Sequence, residues 1–381
     1  MPKKTNKSKI VLVSNTSWYL YNFRVKLLFL IKSYNYELFL ICPRDEYTEK
    51  LEKLGFKIYN WDLQRRSINP LKELISVYKL ARIYIQIKPN IVHHFTIKAC
   101  IYGSISAFIC NVKVVINSFT GLGHFFISNN LKIKFIRKIS RIFIKIIFSK
   151  INTKLILQNN SDRKKLLKLK ITTKNKSIVI PGSGVDLDYF YPQEKIFDKN
   201  MIKLLFPSRL IKEKGIMELI RACLLLEQDN IPIKLYIAGK LDEGNRSSLN
   251  KEEIDVLKKL KNVFLMGHIE DMRNLYRKID IVVLPSWREG LSKALLEAAA
   301  MEKAIITTNV PGCKEIVKHM ETGLLVNVNN PFQIKESIIK IYNNPDLLKK
   351  FGEAARLRVK KKFEVKKINR MTIREYENLR N

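Results

Sequence analysis

The chain has 381 residues, 46% of them apolar, with 70 Lys and Arg against 35 Asp and Glu. That length predicts two domains, each able to bury its own core, and the apolar share excludes a disordered chain. The five cysteines (Cys42, Cys100, Cys110, Cys223 and Cys313) form neither a CxxC pair nor a Cys/His cluster of zinc spacing, which fits a reducing cytosol and argues against a structural metal.

Behind the basic stretch Met1–Lys9, the apolar run Ile10–Val13 has the length of a strand. No window offers the roughly 18 uninterrupted apolar residues of a membrane-spanning helix. The net charge of +35 is unevenly placed. Residues 1–185 hold 34 Lys and Arg against 8 Asp and Glu, a net of +26, which leaves +9 for the remainder. Between Glu73 and Asp162 the chain carries 13 cations and no acid. A field of that sign attracts a polyanion, either nucleic acid or an anionic membrane surface.

In chain order, Ile10–Ser14 reads as a first strand, Asn22–Ser33 as a helix and Tyr36–Cys42 as a second strand. Tyr47–Leu54 reads as a helix, with Gly55 as its C-cap. Leu71–Ile87 is a helix closed by Pro89, followed by strands at Ile91–Phe95, Val112–Asn117 and Lys154–Gln158. This βαβ alternation predicts a parallel, doubly wound sheet. Pro181-Gly182-Ser183-Gly184 interrupts it as a linker. Strands then resume at Lys203–Phe206, Lys234–Ala238, Val263–Met266, Ile281–Leu284 and Ala304–Thr307, and residues 330–380 read as helical and charged. The expectation is two Rossmann-like α/β domains over 1–185 and 186–360, facing each other across a cleft. A C-terminal helix over 361–381 should return to the first domain.

Ligands of open parallel sheets bind where strand ends, loops and helix N-termini converge. Glu289 and Glu297, with seven residues between them, occupy a strand-to-helix turn of this kind, after Ile281–Leu284. Arg209 and Lys214 occupy another, in Ser208-Arg209-Leu210-Ile211-Lys212-Glu213-Lys214-Gly215. A guanidinium fork and an ammonium can hold a diphosphate and stabilise its charge as it leaves, while carboxylates accept from the vicinal hydroxyls of sugars. The four residues together predict a sugar-nucleotide donor site, with Arg209, Lys214 and Glu289 as its catalytic residues. Gly290 and Leu291 continue its loop, and Gly267 and His268 follow a strand from which they could present groups to a base. Ordinary alternatives exist for each: a solvated Lys-rich helix start, a helix-capping acid at Glu289, and the surface of an amphipathic helix at Glu297.

In the N-terminal half, Ser14 to Arg24 lacks the glycines of a GxGxxG loop, so a dinucleotide fingerprint fails there. Asn22 and Arg24, His94, and the strand-end residues Thr120, Gly121, Gly123 and His124 could line an acceptor side. For His93 and His94 the alternative is a satisfied strand-end pair. Leu131–Phe148 is cationic, apolar and free of acids, as expected of a helix lying in the interface of an anionic bilayer. A core helix with a basic outer edge would carry the same pattern.

Together these residues resemble the retaining GT-B glycosyltransferases of family GT4, the group 1 glycosyl transferases. The resemblance rests on Ser208-Arg209-Leu210 with Lys214-Gly215, Glu289-Gly290 through Glu297-Ala298, and Val310-Pro311-Gly312 with Gly323-Leu324-Leu325-Val326. Asp45-Glu46-Tyr47-Thr48, Arg66-Ser67-Ile68-Asn69-Pro70 and Gly121-Leu122-Gly123 are similar to the bacterial branch that extends polyprenyl-diphosphate-linked glycans, N-acetylgalactosaminyltransferases among them. The resemblance implies that Arg209 and Lys214 bind the donor diphosphate, Glu289 the transferred sugar and Glu297 the ribose. It also implies retention of anomeric configuration, with the leaving phosphate helping the acceptor hydroxyl lose its proton, and neither a metal nor a cofactor. Many relatives have a histidine where this chain has Phe119-Thr120, and Thr120 cannot serve as a base. His124 is a substitute only by position, so no general base is assigned.

The leading expectation is a transferase that moves a HexNAc or hexose from a UDP-sugar to a lipid-linked glycan in surface polysaccharide synthesis. It would sit peripherally on the inner face of the plasma membrane, partnered by an anionic surface and not by nucleic acid. The alternatives are a UDP-sugar epimerase of the same fold and a basic nucleic-acid-binding protein.

Overall fold

The structure, a computed structural model, describes residues 7–64, 69–122, 145, 152–193, 198, 200–245 and 247–380. The chain forms two compact units, Met1–Ser183 with Ile368–Asn381, and Gly184–Lys367. The sequence reading placed the divisions at 185/186 and 360/361; they fall at 183/184 and 367/368.

The N-terminal unit contains β1 (Lys9–Val13), α1 (Ser17–Ser33), β2 (Glu37–Cys42), α2 (Glu46–Lys53), β3 (Lys57–Asn60) and α3 (Pro70–Ile87). It continues with β4 (Ile91–Phe95), α4 (Ile97–Ile109), β5 (Val114–Phe119), β6 (Asn152–Leu157), α5 (Asn160–Lys168) and β7 (Ser177–Val179). The strands form one sheet in the order β3-β2-β1-β4-β5-β6-β7, and every neighbouring pair is parallel. A parallel sheet is covered on both faces, so its central strands are continuous apolar runs. In β1, Ile10 and Leu12 enter one core cluster while Val11 and Val13 enter another, the two faces alternating residue by residue.

The C-terminal unit repeats the plan with β8 (Ile202–Phe206), α6 (Ile216–Gln228), β9 (Ile233–Ala238), α7 (Lys251–Lys259), β10 (Val263–Gly267), α8 (Arg273–Lys278) and β11 (Ile281–Leu284). It then runs through α9 (Lys293–Ala300), β12 (Ala304–Thr308), α10 (Cys313–Ile316), β13 (Leu324–Val326), α11 (Pro331–Asn343) and α12 (Asp346–Lys362). Its sheet has the order β10-β9-β8-β11-β12-β13, again parallel throughout. The last helix, α13 (Val365–Arg380), begins in this unit and belongs to the other from Ile368 onward.

One boundary differs from the sequence reading for a long-range reason. Helix α1 starts at Ser17 instead of Asn22, with Thr16 Oγ1 accepting from the Tyr19 amide at 3.2 Å. Asp45, 28 residues away, accepts from the Ser17 amide at 3.0 Å and from the Ser17 hydroxyl. The same carboxylate caps α2 in a reciprocal box with Thr48, so one acid serves two helix N-termini.

The far end of the chain completes the N-terminal core. Ile368, Ile373 and Tyr376 are buried with Ile10, Leu12 and Leu20. The Tyr376 hydroxyl lies 2.7 Å from His93 Nδ1, and His93 Nε2 lies 2.7 Å from Ser118 Oγ. Replacing Tyr376 by Phe removes one partner and leaves a buried imidazole nitrogen unsatisfied, which costs about 1–3 kcal/mol. Urea unfolding of Tyr376→Phe should show that loss; an unchanged midpoint would refute this role for α13.

Candidate active site

In the C-terminal unit the loops that carry the predicted residues leave from one edge of the sheet, because all six strands point the same way. Arg209 lies on the loop after β8. Lys214 ends a single 3₁₀ turn, Lys212–Lys214, just before α6. Glu289 lies on the loop after β11. Gly215, between Lys214 and α6, has φ +76°, and a Cβ there would stand 2.1 Å from the Pro285 carbonyl. Glycine therefore lets the two loops touch. The contact this permits is the centre of the site: Lys214 Nζ donates to Glu289 Oε1 at 2.5 Å, with side chains only 18% and 11% exposed. Ser286 Oγ donates to the same oxygen at 2.9 Å. Glu289 is thus held by two donors, and the solvated Lys-rich start considered for Lys214 does not describe its position.

Arg209 is oriented differently. Its Nη1 donates to Asp242 Oδ2 at 2.5 Å, and Asp242 also accepts from Asn245 Nδ2 at 3.0 Å. Asp242 lies on the loop after β9, which approaches so closely that a Cβ on Gly239 would stand 1.8 Å from the Ser208 carbonyl. Sequence reasoning missed Asp242 and Ser286. The available signal was a Gly followed by an acid after a strand of the same sheet, which brings that acid to the same edge.

Glu297 lies on α9, whose N-cap is Ser292. Its side chain is 13% exposed, with Lys293 Nζ 3.7 Å from Oε1. The Tyr276 hydroxyl reaches Oε2 at 3.4 Å. Burial raises its pKa above the ordinary carboxylate range. This acid is not on a solvated helix surface, and its sparse partners leave it capacity to accept further hydrogen bonds. Gly290 and Leu291 are half-buried beside Glu289, and Gly267 and His268 are exposed at the end of the edge strand β10, which is separated from β8 by β9. Cys313, whose thiol burial and the nearby Glu289 charge push up to about 12, is not a nucleophile at neutral pH. Among the described residues no group of three or more His, Cys, Asp and Glu could hold a metal ion.

Residues 188–358 match the family model of the glycosyl transferases group 1, and residues 9–160 match that of a glycosyl transferase 4-like domain. The chain belongs to the group 1 glycosyltransferases. It is 27% identical over 87% of its length, and 88% of the relative's, to an N,N'-diacetylbacillosaminyl-diphospho-undecaprenol alpha-1,3-N-acetylgalactosaminyltransferase of Campylobacter jejuni. It is 29% identical, over 72% of the chain and 71% of the relative, to a UDP-Gal:alpha-D-GlcNAc-diphosphoundecaprenol alpha-1,3-galactosyltransferase of Escherichia coli. A glycosyltransferase of Rickettsia africae shares its fold with a TM-score of 0.78 at 24% identity, covering 98% of this chain and 99% of that one. The architecture is GT-B.

In the N-terminal unit of this glycosyltransferase, the structure corrects two of the expected acceptor contacts. Arg24 is 4% exposed. Its guanidinium donates to the Tyr19 hydroxyl at 2.8 and 3.1 Å and to the Gly182 carbonyl at 3.3 Å, and it lies 4.6 Å from the centre of the Phe95 ring. It is a packed core cation. His94 is fully buried, with Nδ1 2.8 Å from Asn117 Oδ1 and Nε2 2.8 Å from the Tyr84 hydroxyl. Both ring nitrogens are used, as in the satisfied pair foreseen as the alternative. Asn22 lies within α1, its side-chain amide donating to the Trp18 carbonyl at 3.0 Å. Thr120 and Gly121 are half-buried after β5, where Gly121 takes φ +126°. Gly123, His124 and, apart from Lys145, the Leu131–Phe148 segment lie outside the described residues.

Burial lowers the pKa of His94 to about 4, and that of His93 moves the same way. An unfolded chain titrates these rings near 6.5, so it takes up protons first as the pH falls. Their contribution is complete above about pH 6.5 and is lost toward about pH 4, with His94 alone worth about 3 kcal/mol. The urea midpoint should fall across that window, and less steeply in His94→Gln. Equal slopes would show that His94 is not held neutral by the fold.

Proposed function

We propose that this glycosyltransferase moves a hexose or N-acetylhexosamine from a UDP-sugar to a polyprenyl-diphosphate-linked glycan, with retention and without a metal ion. The observation that carries the donor site is the partly buried Lys214–Glu289 contact on the same sheet edge as Arg209. Arg209 and Lys214 take the diphosphate and neutralise charge on the departing phosphate oxygen as the sugar C1–oxygen bond breaks. Glu289 accepts from hydroxyls of the transferred sugar, and Glu297 from those of the ribose. The acceptor oxygen bonds to C1 on the face the phosphate leaves, and its proton passes to that phosphate. Gly290 and Leu291 shape the sugar loop. Because two side-chain cations supply the compensating charge, the scheme assigns no step to a metal or cofactor. The activities of the Campylobacter and Escherichia relatives support the diphosphoundecaprenol-linked acceptor and, for the second, the UDP donor.

The +26 charge of residues 1–185 supports work at the inner, anionic face of the plasma membrane. No described helix is long and apolar enough to cross a membrane, so the attachment proposed is peripheral. The products are building blocks of a surface polysaccharide such as O-antigen or capsule.

A screen of UDP release with several nucleotide sugars and polyprenyl-diphosphate-linked acceptors tests the reading. Lys214→Ala and Glu289→Gln should each lower kcat/KM by about a hundredfold or more with the fold intact. Near-normal turnover would refute the donor site. Conversion of the UDP-sugar without acceptor would mark an epimerase, an inverted product would refute retention, and EDTA sensitivity would refute metal independence. The carboxylamide at Asp242→Asn keeps an acceptor for Arg209, and Asp242→Ala does not. Asp242→Ala should therefore raise the donor KM about tenfold, while Asp242→Asn stays near wild type. Equal values for the two would show that Asp242 does not orient Arg209.

A further inference from the structure

Helix α3 is apolar on both sides. Its inward face buries Ser76, Val77, Leu80, Ala81, Tyr84 and Ile87. Its outward face carries Leu71, Leu74, Ile75, Tyr78 and Ile85, which are 72, 66, 53, 63 and 60% exposed. With Arg82 these positions recur at helical spacing and form one stripe, roughly 21 Å long at 1.5 Å per residue. Scattered exposed apolar residues are normal, but five in one stripe mark a surface that meets something. The helix has a single acid, Glu73, and it is turned away: Lys98 Nζ holds it at 2.9 Å with both side chains mostly buried. Exposed cations flank the stripe, with Lys72 and Lys79 along one side, Arg82 within it and Lys88 at its end. Lys79 is shared with Asp62 at 2.8 Å, while Arg82 and Lys88 make no ion pair among the described residues.

We infer that the outer face of α3 docks on an anionic lipid bilayer, lying in the headgroup layer with Leu71, Leu74, Ile75, Tyr78 and Ile85 directed toward the acyl chains. Charge complementarity selects the occupant. A second copy would bring the same cations against themselves, since a two-fold contact pairs like patches. A bilayer rich in anionic headgroups satisfies both the apolar stripe and its cationic margin, with the Tyr78 ring suited to the interface. The helix is too polar in its flanks to insert across the membrane, and it would lie on the surface. This inference rests on the membrane-face reading above and assigns that contact to a particular helix.

The test is co-sedimentation of the full chain with vesicles of phosphatidylcholine alone or mixed with phosphatidylglycerol. The comparison is wild type against Leu74→Ser/Ile75→Ser/Tyr78→Ser and against Lys72→Glu/Arg82→Glu. All five positions are exposed, and circular dichroism checks that each variant is folded. Wild type should bind the anionic vesicles selectively, and each variant should partition about tenfold more weakly or worse. UDP release with a detergent-dispersed acceptor should remain unchanged in both. Absence of wild-type binding to anionic vesicles would overturn the inference and the membrane-face reading together. Undiminished binding by both variants would overturn the inference alone. A loss of self-association in the serine variant would instead make the stripe an interface between copies, and would overturn the lipid assignment.

Discussion

When every strand of a sheet runs the same way, every strand-to-helix turn emerges at one edge, and charged side chains from distant parts of the chain are forced into company. In the C-terminal unit this constraint brings residue 214 to residue 289 and residue 209 to residue 242. The loops can then close only because glycines stand where a Cβ would strike a carbonyl. Sheet direction sets the neighbourhood, and missing side chains set the final distance.

The Lys214–Glu289 pair also has a thermodynamic logic. Two charges with less than a fifth of their surface exposed would be costly if left alone, and each is the other's compensation. On the proposed roles, a sugar nucleotide offers a replacement to both at once: phosphate oxygens for the ammonium and sugar hydroxyls for the carboxylate. A ligand bearing only one of these replaces half of the pair and strands the other charge. The geometry therefore favours the intact donor over either fragment.

Much of this was legible because it is local. The apolar runs gave the long central strands, and Asn69-Pro70 marks the start of α3 as a cap followed by a first-turn proline. The spacing of Arg209, Lys214, Glu289 and Glu297 on strand-to-helix turns is a local pattern too. What stayed hidden is long-range or very short. The start of α1 depends on Asp45, 28 residues away, and β7 and β13 have three residues each, too few for a period to show. Asp242 is one acid among many until the fold places it beside Arg209. Arg24 and His94 look like ligand contacts in sequence, because polarity suggests exposure. The structure buries both and satisfies them with hydroxyls, a carbonyl and an amide.

The return of α13 to the first sheet has a consequence for how the protein is made. Ile368, Ile373 and Tyr376 leave the ribosome only after the whole of the C-terminal unit, yet they belong to the core begun by Ile10 and Leu12. The usual order, in which the N-terminal domain finishes while the rest is being translated, is unavailable here. The C-terminal unit, continuous from Gly184 to Lys367, has all its strands before the first unit has its last helix. Until those residues emerge, the nascent first unit exposes the apolar side chains that this helix will cover, together with His93 lacking its Tyr376 partner.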